Sequence, residues 1–307
     1  MNRWFASPLR KKGWLAVELE NNAASYVHGR TGEQGAKPVI SFFGRRSIET
    51  DADFARLAKD LQFSRFNCLA LLQADEYRLI QLEAPNVPAA ERKAALRWRL
   101  KDLLDFPPEE ATFDVLDIPS GAGAAAARPA SVYAVAARSE LIRSRVGRFE
   151  RAKVPLSVVD IRETAQRNIA ARREDADRGL ALLFSGDESS LLTVNFKQEL
   201  ILARRIEIGS AHFSAPGNRG DSLERLGLEI QRTLDLVDRQ FPFVTIAKLL
   251  VAPQPDHPDL AESLKAGLGL RIEPLDLADV FDFESGPVPD AAEQWRLFHL
   301  LGAALRE

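Results

Sequence analysis

Two sets of strand-length apolar runs constrain the fold of this chain more than any other feature. The first set lies within residues 13–48 and the second within residues 179–209, and short turns separate the runs in each set. Such runs are typical of antiparallel meanders. Helical periodicity follows both sets, for example over residues 139–152 and 222–241. The pattern predicts a duplicated α/β architecture in two units rather than a single doubly wound sheet.

Composition and motifs exclude several classes of function. The 307 residues carry a formal net charge of −3, whereas a general nucleic-acid binder shows a basic excess. A single cysteine, Cys68, excludes a disulfide framework. No apolar run approaches the roughly 18–20 residues that span a bilayer. The four histidines lack metal-ligand spacing, and Walker A, G-x-G-x-x-G and nucleophile-elbow motifs are absent. We therefore predict no metal site and no catalytic residues.

The segment ALRWRLKDLLDFPPEE, residues 95–110, contains a tryptophan that the helical period does not explain. The sequence predicts a charged helix that begins near Pro88 and ends at the prolines of positions 107 and 108. On a helical wheel one face carries the apolar residues Ala95, Leu96, Leu100, Leu103 and Leu104. Trp98 projects to the opposite side, together with Glu91, Ala94, Asp102 and Asp105.

Two interpretations of Trp98 follow from this position. A neighbouring strand or the N-terminal arm covers the indole within the monomer, or the indole anchors a bound peptide. An acidic rim at Glu91, Asp102 and Asp105 would suit a basic residue on such a peptide.

A long stretch around this helix resembles a known family. Residues 71–119, LLQADEYRLIQLEAPNVPAAERKAALRWRLKDLLDFPPEEATFDVLDIP, closely resemble the MshI proteins of mannose-sensitive haemagglutinin (MSHA) pilus systems. These are relatives of PilM, a type IV pilus assembly protein, and of the cytoplasmic part of the GspL secretion proteins. VVDIRETAQRN, EIQRTLDLVDRQFP and LGAALRE look like the same family. The resemblance covers nearly the whole chain, and its specific part is residues 95–118.

The resemblance implies an actin-like, ribonuclease-H-like α/β fold with two lobes and a nucleotide cleft between them. Residues 1–160 and 288–307 are expected to form the first lobe, and residues 161–287 the second. A PilM-type α/β insertion is expected in the first lobe, at about residues 73–137.

The resemblance also assigns residues to the cleft, where two small-residue hairpins would let backbone N–H groups approach phosphates. In the first hairpin Glu18, Asn21 and Asn22 replace the acidic and glycine-containing loop of PilM relatives. The second hairpin retains Gly186, Asp187, Ser189 and Ser190, although these residues also suit a plain polar turn. Asp160 occupies the acidic position at the lobe junction, where an acid also serves as a helix cap. We expect at most weak binding of ATP and magnesium, no required cofactor and no efficient ATPase turnover.

The expected function is that of a cytoplasmic adaptor, peripheral to the inner membrane, in the assembly platform of a type IV, MSHA-like pilus. Its expected partner is the N-terminal cytoplasmic tail of a PilN-like single-pass inner-membrane protein, bound through the surface around Trp98. Two alternatives stay open on the same fold. One is a nucleotide-dependent actin-like ATPase or switch in the same system, and the other is a GspL-like component of type II secretion.

Overall fold

The computed structural model describes residues 12–32, 36–121, 130–214, 217–284 and 288–306. Most of the loop predicted at 120–130 and the first eleven residues therefore lie outside the described residues. The strands are β1 Trp14–Leu19, β2 Ala23–Arg30, β3 Val39–Ser47, β4 Asn67–Leu71, β5 Arg78–Glu83, β6 Ala111–Asp117, β7 Ser131–Arg138, β8 Leu156–Asp160, β9 Gly179–Ser185, β10 Ser190–Phe196, β11 Glu199–Ile206, β12 Ile246–Val251, β13 Arg271–Pro274 and β14 Asp282–Phe283. The helices are α1 Asp51–Asp60, α2 Ala89–Arg99, α3 Ser139–Arg151, α4 Arg162–Ala170, α5 Ser210–Ser214, α6 Arg219–Gln240, α7 Leu260–Lys265 and α8 Ala291–Ala303.

Two large sheets follow the same plan. The first has the strand order β14-β3-β2-β1-β4-β8, and the second has the order β11-β10-β9-β12-β13. In each sheet an antiparallel meander comes first, β1–β3 or β9–β11, and parallel strands extend it from the first strand of the meander. Strand β9, GLALLFS, is buried at every position, as expected for a central strand covered on both faces. The predicted duplication of an α/β unit is confirmed.

A third sheet, with the order β5-β7-β6, forms a separate layer. One face packs against α2 and the 3₁₀ turn that follows it: Leu96 and Leu100 contact a cluster that includes Phe113 and Val132 of the strands. On the other face Tyr133 belongs to the hydrophobic core of the second large sheet. The segment predicted as an insertion, residues 73–137, contains α2, β5, β6 and all but the last residue of β7.

Helices α4 and α8 cross between the two large sheets. Helix α8 packs on β1, β2 and α4, while α4 packs on β9, β10 and β11. The crossing is close because position 302 is a glycine: a Cβ atom there would lie 2.1 Å from the carbonyl oxygen of Ala165. One hydrophobic cluster joins both sheets across these helices, for example through Val27, Leu182 and Leu301. The two lobes therefore share part of their core.

The structure departs from the sequence prediction at several ends of elements. Helix α2 ends at Arg99 and continues as a single 3₁₀ turn over Leu100–Asp102 instead of reaching Pro107. Leu103 consequently leaves the apolar face and is half exposed. The segment predicted as a loop at 209–222 contains α5 and the start of α6. Strand β14 pairs with β3 in the first sheet, although residues up to 287 were expected in the second lobe.

Candidate functional site

The first cleft hairpin, between β1 and β2, presents one buried acid and two exposed amides. The side chain of Glu18 is buried beside the start of α4, where Nη2 of Arg162 donates a hydrogen bond to its Oε1 at 2.8 Å. Burial raises the pKa of the Glu18 carboxyl, and the charge of Arg162 opposes that shift. Asn21 and Asn22 lie exposed in the turn. The carbonyl oxygen of Asn22 accepts from the backbone N–H of Ile48 at 2.9 Å, which ties the turn to the end of β3.

The second hairpin, between β9 and β10, is closed by bonds within the protein. The N–H of Gly186 donates to the carbonyl of Ser189 at 2.9 Å, and the hydroxyl of Ser190 donates to the carbonyl of Ile208 at 2.6 Å. The loop before α5 lies directly against this turn. A Cβ at Gly209 would stand 2.3 Å from the carbonyl oxygen of Asp187. The structure thus brings the four predicted hairpin residues together, but several of their polar groups face protein partners.

Asp160 lies at the end of β8 and is buried. One of its carboxylate oxygens accepts from the N–H of Ile161 at 2.9 Å and from the hydroxyl of Thr164. The other accepts from Nη1 of Arg306 at 2.8 Å. Asp160 is therefore not the cap of α4, whose N-cap residue is Ile161 with no side-chain cap bond; it instead binds the hydroxyl of Thr164 and the guanidinium of Arg306.

A cavity of about 380 Å³ opens between the second hairpin, the start of α4 and the third sheet. Tyr77 and Glu163 line it, and the Tyr77 hydroxyl donates to Oε2 of Glu163 at 2.5 Å. Burial raises the pKa of Glu163 and raises the pKa of Tyr77 well above its usual value. Arg205 crosses the cavity mouth, donating from Nε to the hydroxyl of Ser189 and from Nη1 to the carbonyl of Ala74.

Sequence reasoning missed five residues of this cleft. They are Tyr77, Arg162, Glu163, Arg205 and Arg306. Arg162 and Glu163 fall within VVDIRETAQRN, the segment that carries the family resemblance, so their neighbourhood was marked although their roles were not. Arg306 likewise falls within LGAALRE, another segment that carries the resemblance, whereas Arg205 lies outside all of the segments that carry it.

The residues present fit a magnesium nucleotide poorly. Arg162 forms an ion pair with the carboxylate of Glu18, and Arg306 forms one with the carboxylate of Asp160. Neither acid therefore offers an unpaired negative charge to a magnesium ion in the cleft. The backbone N–H of Gly186 is already used inside its own turn. Within the described ranges, no group of three His, Cys, Asp or Glu side chains is placed to hold a metal ion.

Trp98 marks a second candidate site, on the outer face of α2. The residue is 76% exposed, whereas Leu96 and Leu100 on the opposite face are fully buried. Among the described residues no strand covers the indole, so the prediction that a strand covers it is wrong. The N-terminal arm, the other predicted cover, lies outside the described residues and stays a prediction. Beside the indole is a cavity of about 440 Å³, which we call the Trp98 cavity. Its lining residues are Arg97, Trp98, Lys101, Leu104, Asp105, Phe106, Pro107, Pro108 and Glu109.

The rim of the Trp98 cavity carries charges of both signs, whereas an acidic rim was expected. Asp105 lines it and lies 3.9 Å from a guanidinium nitrogen of Arg78 and of Arg138. Asp102 is exposed but does not line it. The helical wheel fails here because α2 ends at Arg99, so positions beyond it no longer follow a period of 3.6 residues. Glu91 and Ala94, earlier on α2, are exposed and also lie outside the lining.

A larger groove of about 1,010 Å³ separates the third sheet from the second lobe. Its apolar walls come from the segment after β5, residues 84–87, and from residues 241–243 after α6. Arg92 and Arg99 of α2 reach its edge. The groove was not predicted from the sequence, because its two apolar walls lie more than a hundred residues apart in the chain.

Comparisons with known proteins identify the fold. No family model matches the chain, and no curated protein matches it. A solved structure, the PilM–PilN type IV pilus biogenesis complex, matches with a TM-score of 0.70 at 18% identity, over 96% of this chain and 98% of that chain. The cytoplasmic domain of EpsL, an inner-membrane component of the Vibrio cholerae type II secretion system, matches with a TM-score of 0.50 at 13% identity, over 95% and 94%. A Bacteroides thetaiotaomicron protein of unknown function, described as having an actin-like ATPase fold, matches at 0.51 and 9% identity, over 94% and 96%.

These likenesses show that the chain has the actin-like ATPase fold, and the predicted fold class is confirmed. At identities this low they establish the fold alone. The narrower resemblance to MshI stays a prediction. In the part of the chain that is described, no helix has the length and apolar character to cross a membrane.

Proposed function

We propose that this chain is a PilM-like adaptor in the assembly platform of a type IV, MSHA-like pilus. The observation that carries the proposal is the match to the PilM–PilN complex over nearly the full length of both chains, with a TM-score of 0.70. In this proposal the protein is cytoplasmic and is held at the inner membrane by its partner. The partner is a PilN-like single-pass membrane protein, and its N-terminal cytoplasmic tail is the bound segment.

The proposed docking surface is the Trp98 cavity. Tryptophan is among the residues enriched at the centres of protein interfaces, where it fills or borders a pocket. The cavity volume of about 440 Å³ lies within the range of roughly 300–1,000 Å³ that is typical of ligand pockets. Leu104 and Phe106 provide apolar surface beside the indole, and the two prolines fix the backbone at the far wall.

The experiment is a calorimetric titration of the full chain with a synthetic peptide copied from the N-terminal tail of the host's PilN-like protein. Trp98→Ala should weaken binding at least tenfold, which corresponds to about 1.4 kcal/mol. Leu228→Ala is the matched control, since Leu228 is also a large exposed apolar residue, at 52%, but lies on α6 in the second lobe. Equal binding by the Trp98 variant and the wild type would refute the docking surface.

We propose further that the cleft serves as scaffold, without ATPase turnover or a required cofactor. Support comes from the two arginines that neutralise Glu18 and Asp160. The test is a titration with a fluorescent ATP analogue, with and without magnesium, alongside a nucleotide-binding protein of the same fold. We expect no saturation at millimolar nucleotide. Tight magnesium-dependent binding would favour the alternative function, a nucleotide-dependent switch in the same system.

A further inference from the structure

The basic and the acidic residues that line the Trp98 cavity come from two different segments of the chain. Arg97 and Lys101, four residues apart, border it from the end of α2 and the 3₁₀ turn that follows. Asp105 and Glu109, also four residues apart, border it from the later segment that leads into β6. Trp98 belongs to the same segment as the basic residues. The basic side chains of the lining therefore come from one segment and the acidic side chains from the other.

Two of these four charges are already engaged by the protein. Nη1 of Arg97 donates to the carbonyl of Pro108 at 2.9 Å, and its guanidinium lies 5.1 Å from the ring centre of Phe113. Asp105 lies between two arginines, each 3.9 Å away. These contacts fix the two lining segments and reduce the charge that Arg97 or Asp105 offers to a ligand.

The other two charges face solvent without a partner. Within the described residues the side chains of Lys101 and Glu109 make no hydrogen bond or ion pair, and both are exposed. They line the cavity from two different segments, Lys101 from the 3₁₀ turn after α2 and Glu109 from the residues that lead into β6. A bound segment can therefore satisfy one positive and one negative charge at separate points along its length.

We infer that the segment bound in the Trp98 cavity carries charges of both signs: apolar residues that pack on Trp98, an acidic side chain for Lys101 and a basic side chain for Glu109. This inference rests on the proposed function, because it specifies the chemistry of the tail that docks there. A uniformly basic tail would meet Lys101 with like charge, and a uniformly acidic tail would meet Glu109 in the same way. Repulsion of this kind selects between partners of similar apolar content.

A membrane surface is a poorer occupant for the same physical reason. Exposed tryptophan beside lysine and arginine is a common feature of surfaces that contact anionic lipid. Here Asp105 and Glu109 line the same cavity, and their carboxylates would be repelled by anionic headgroups. The mixed rim favours a peptide over a bilayer.

The experiment begins with selection of peptides from a random displayed library on the full-length chain, with Trp98→Ala used for counter-selection. We expect the enriched peptides to share an apolar core with an acidic residue on one side and a basic residue on the other. Enrichment of uniformly basic or uncharged peptides would overturn the inference. Binding of the chain to anionic phosphatidylserine vesicles through Trp98, with no peptide enriched, would overturn it in favour of a lipid surface.

Charge reversal then tests the two positions directly on one selected peptide. Lys101→Glu and Glu109→Lys should each weaken binding about two- to fivefold, the range for an exposed ion pair. The double variant Lys101→Glu/Glu109→Lys should prefer the same peptide with its acidic and basic residues exchanged. Lys59→Glu, an exposed change of equal charge on α1, should leave the affinity unchanged.

The outcomes separate this inference from the proposed function. If Trp98→Ala abolishes binding while the charge-reversal variants bind like the wild type, the docking surface stands and the charge assignment is wrong. If Trp98→Ala has no effect on tail or peptide binding, the docking surface itself is wrong.

Discussion

Replacing Arg162 by methionine tests whether the cleft depends on its internal ion pairs. Nη2 of Arg162 lies 2.8 Å from Oε1 of Glu18, and Glu18 is buried. At an effective dielectric constant of about 20, unit charges about 4 Å apart attract by about 4 kcal/mol. Methionine keeps much of the side-chain volume but leaves the carboxylate without a cation. Losing one partner of a buried pair costs roughly 3–5 kcal/mol of the free energy of unfolding, so we expect about 3 kcal/mol at pH 8.

The cost should depend on pH with a defined sign. Burial already raises the pKa of Glu18 in the folded protein, and removing Arg162 raises that pKa further. An acid with a raised folded pKa favours the folded state while it is protonated, and this contribution is lost as the pH rises through the folded pKa. Each unit of pKa shift corresponds to about 1.4 kcal/mol. The Arg162→Met variant should therefore lose about 1 kcal/mol at pH 5 and about 3 kcal/mol at pH 8.

The assay is urea unfolding at both pH values, followed by circular dichroism and tryptophan fluorescence. Adding Glu18→Gln to the variant should restore most of the loss at pH 8, since the buried acid is then gone. Arg271→Met removes an arginine from an exposed pair with Glu273 and should cost less than about 0.5 kcal/mol. A loss that is equal at both pH values, or that Glu18→Gln does not relieve, would refute the reasoning.

Two further predictions concern the interior. Gly302→Ala places a methyl group 2.1 Å from the carbonyl oxygen of Ala165 and should cost at least about 2 kcal/mol of unfolding free energy. Gly227→Ala in α6 places its methyl group in open space and should stabilise the chain by about 0.5–1 kcal/mol. Thermal unfolding of both variants checks the difference. Tyr77→Phe removes the hydroxyl that donates to buried Glu163 and should cost about 1–3 kcal/mol. This cost should be larger at pH 8 than at pH 5, and equal unfolding midpoints relative to wild type at the two pH values would contradict it.

Much of the fold could be predicted because its signals are local. The meander at β1–β3 and that at β9–β11 are visible as apolar runs separated by short polar turns. The start of α2 follows Pro88, and its buried face at Leu96 and Leu100 follows from helical spacing. Such features depend on residues a few positions apart. The duplication of the α/β unit followed from the meanders, and the lobed actin-like arrangement from the family resemblance.

Prediction failed where neighbouring elements decide the outcome. The sequence around Leu103 has helical spacing, yet the chain turns into a 3₁₀ segment at Leu100. Phe106 then lies buried, with the guanidinium of Arg138 4.4 Å from the centre of its ring. The end of the helix moved by several residues, and with it the positions expected to form an acidic rim. Helix ends are set by tertiary contacts that a single periodic pattern does not contain.

The ion pairs of the cleft could not be predicted for a similar reason, because they join residues that are distant in the sequence. These pairs decide whether the cleft can bind a nucleotide. The sequence identified Glu18 and Asp160 as candidate acids, but the arginine that pairs with each of them is distant in the chain: Arg162 lies 144 residues from Glu18, and Arg306 lies 146 residues from Asp160. A buried carboxylate without a cation is costly, so a cleft lined by these acids needs a positive partner. Here arginines of the same chain supply it, so Glu18 and Asp160 are each paired without a ligand. A ligand that binds only the folded state stabilises it by RT ln(1 + [L]/Kd). Magnesium ATP would have to displace Arg162 or Arg306 to reach these acids, so we expect its dissociation constant to exceed a millimolar nucleotide concentration. Adding magnesium ATP at that concentration should then leave the melting temperature of the protein unchanged.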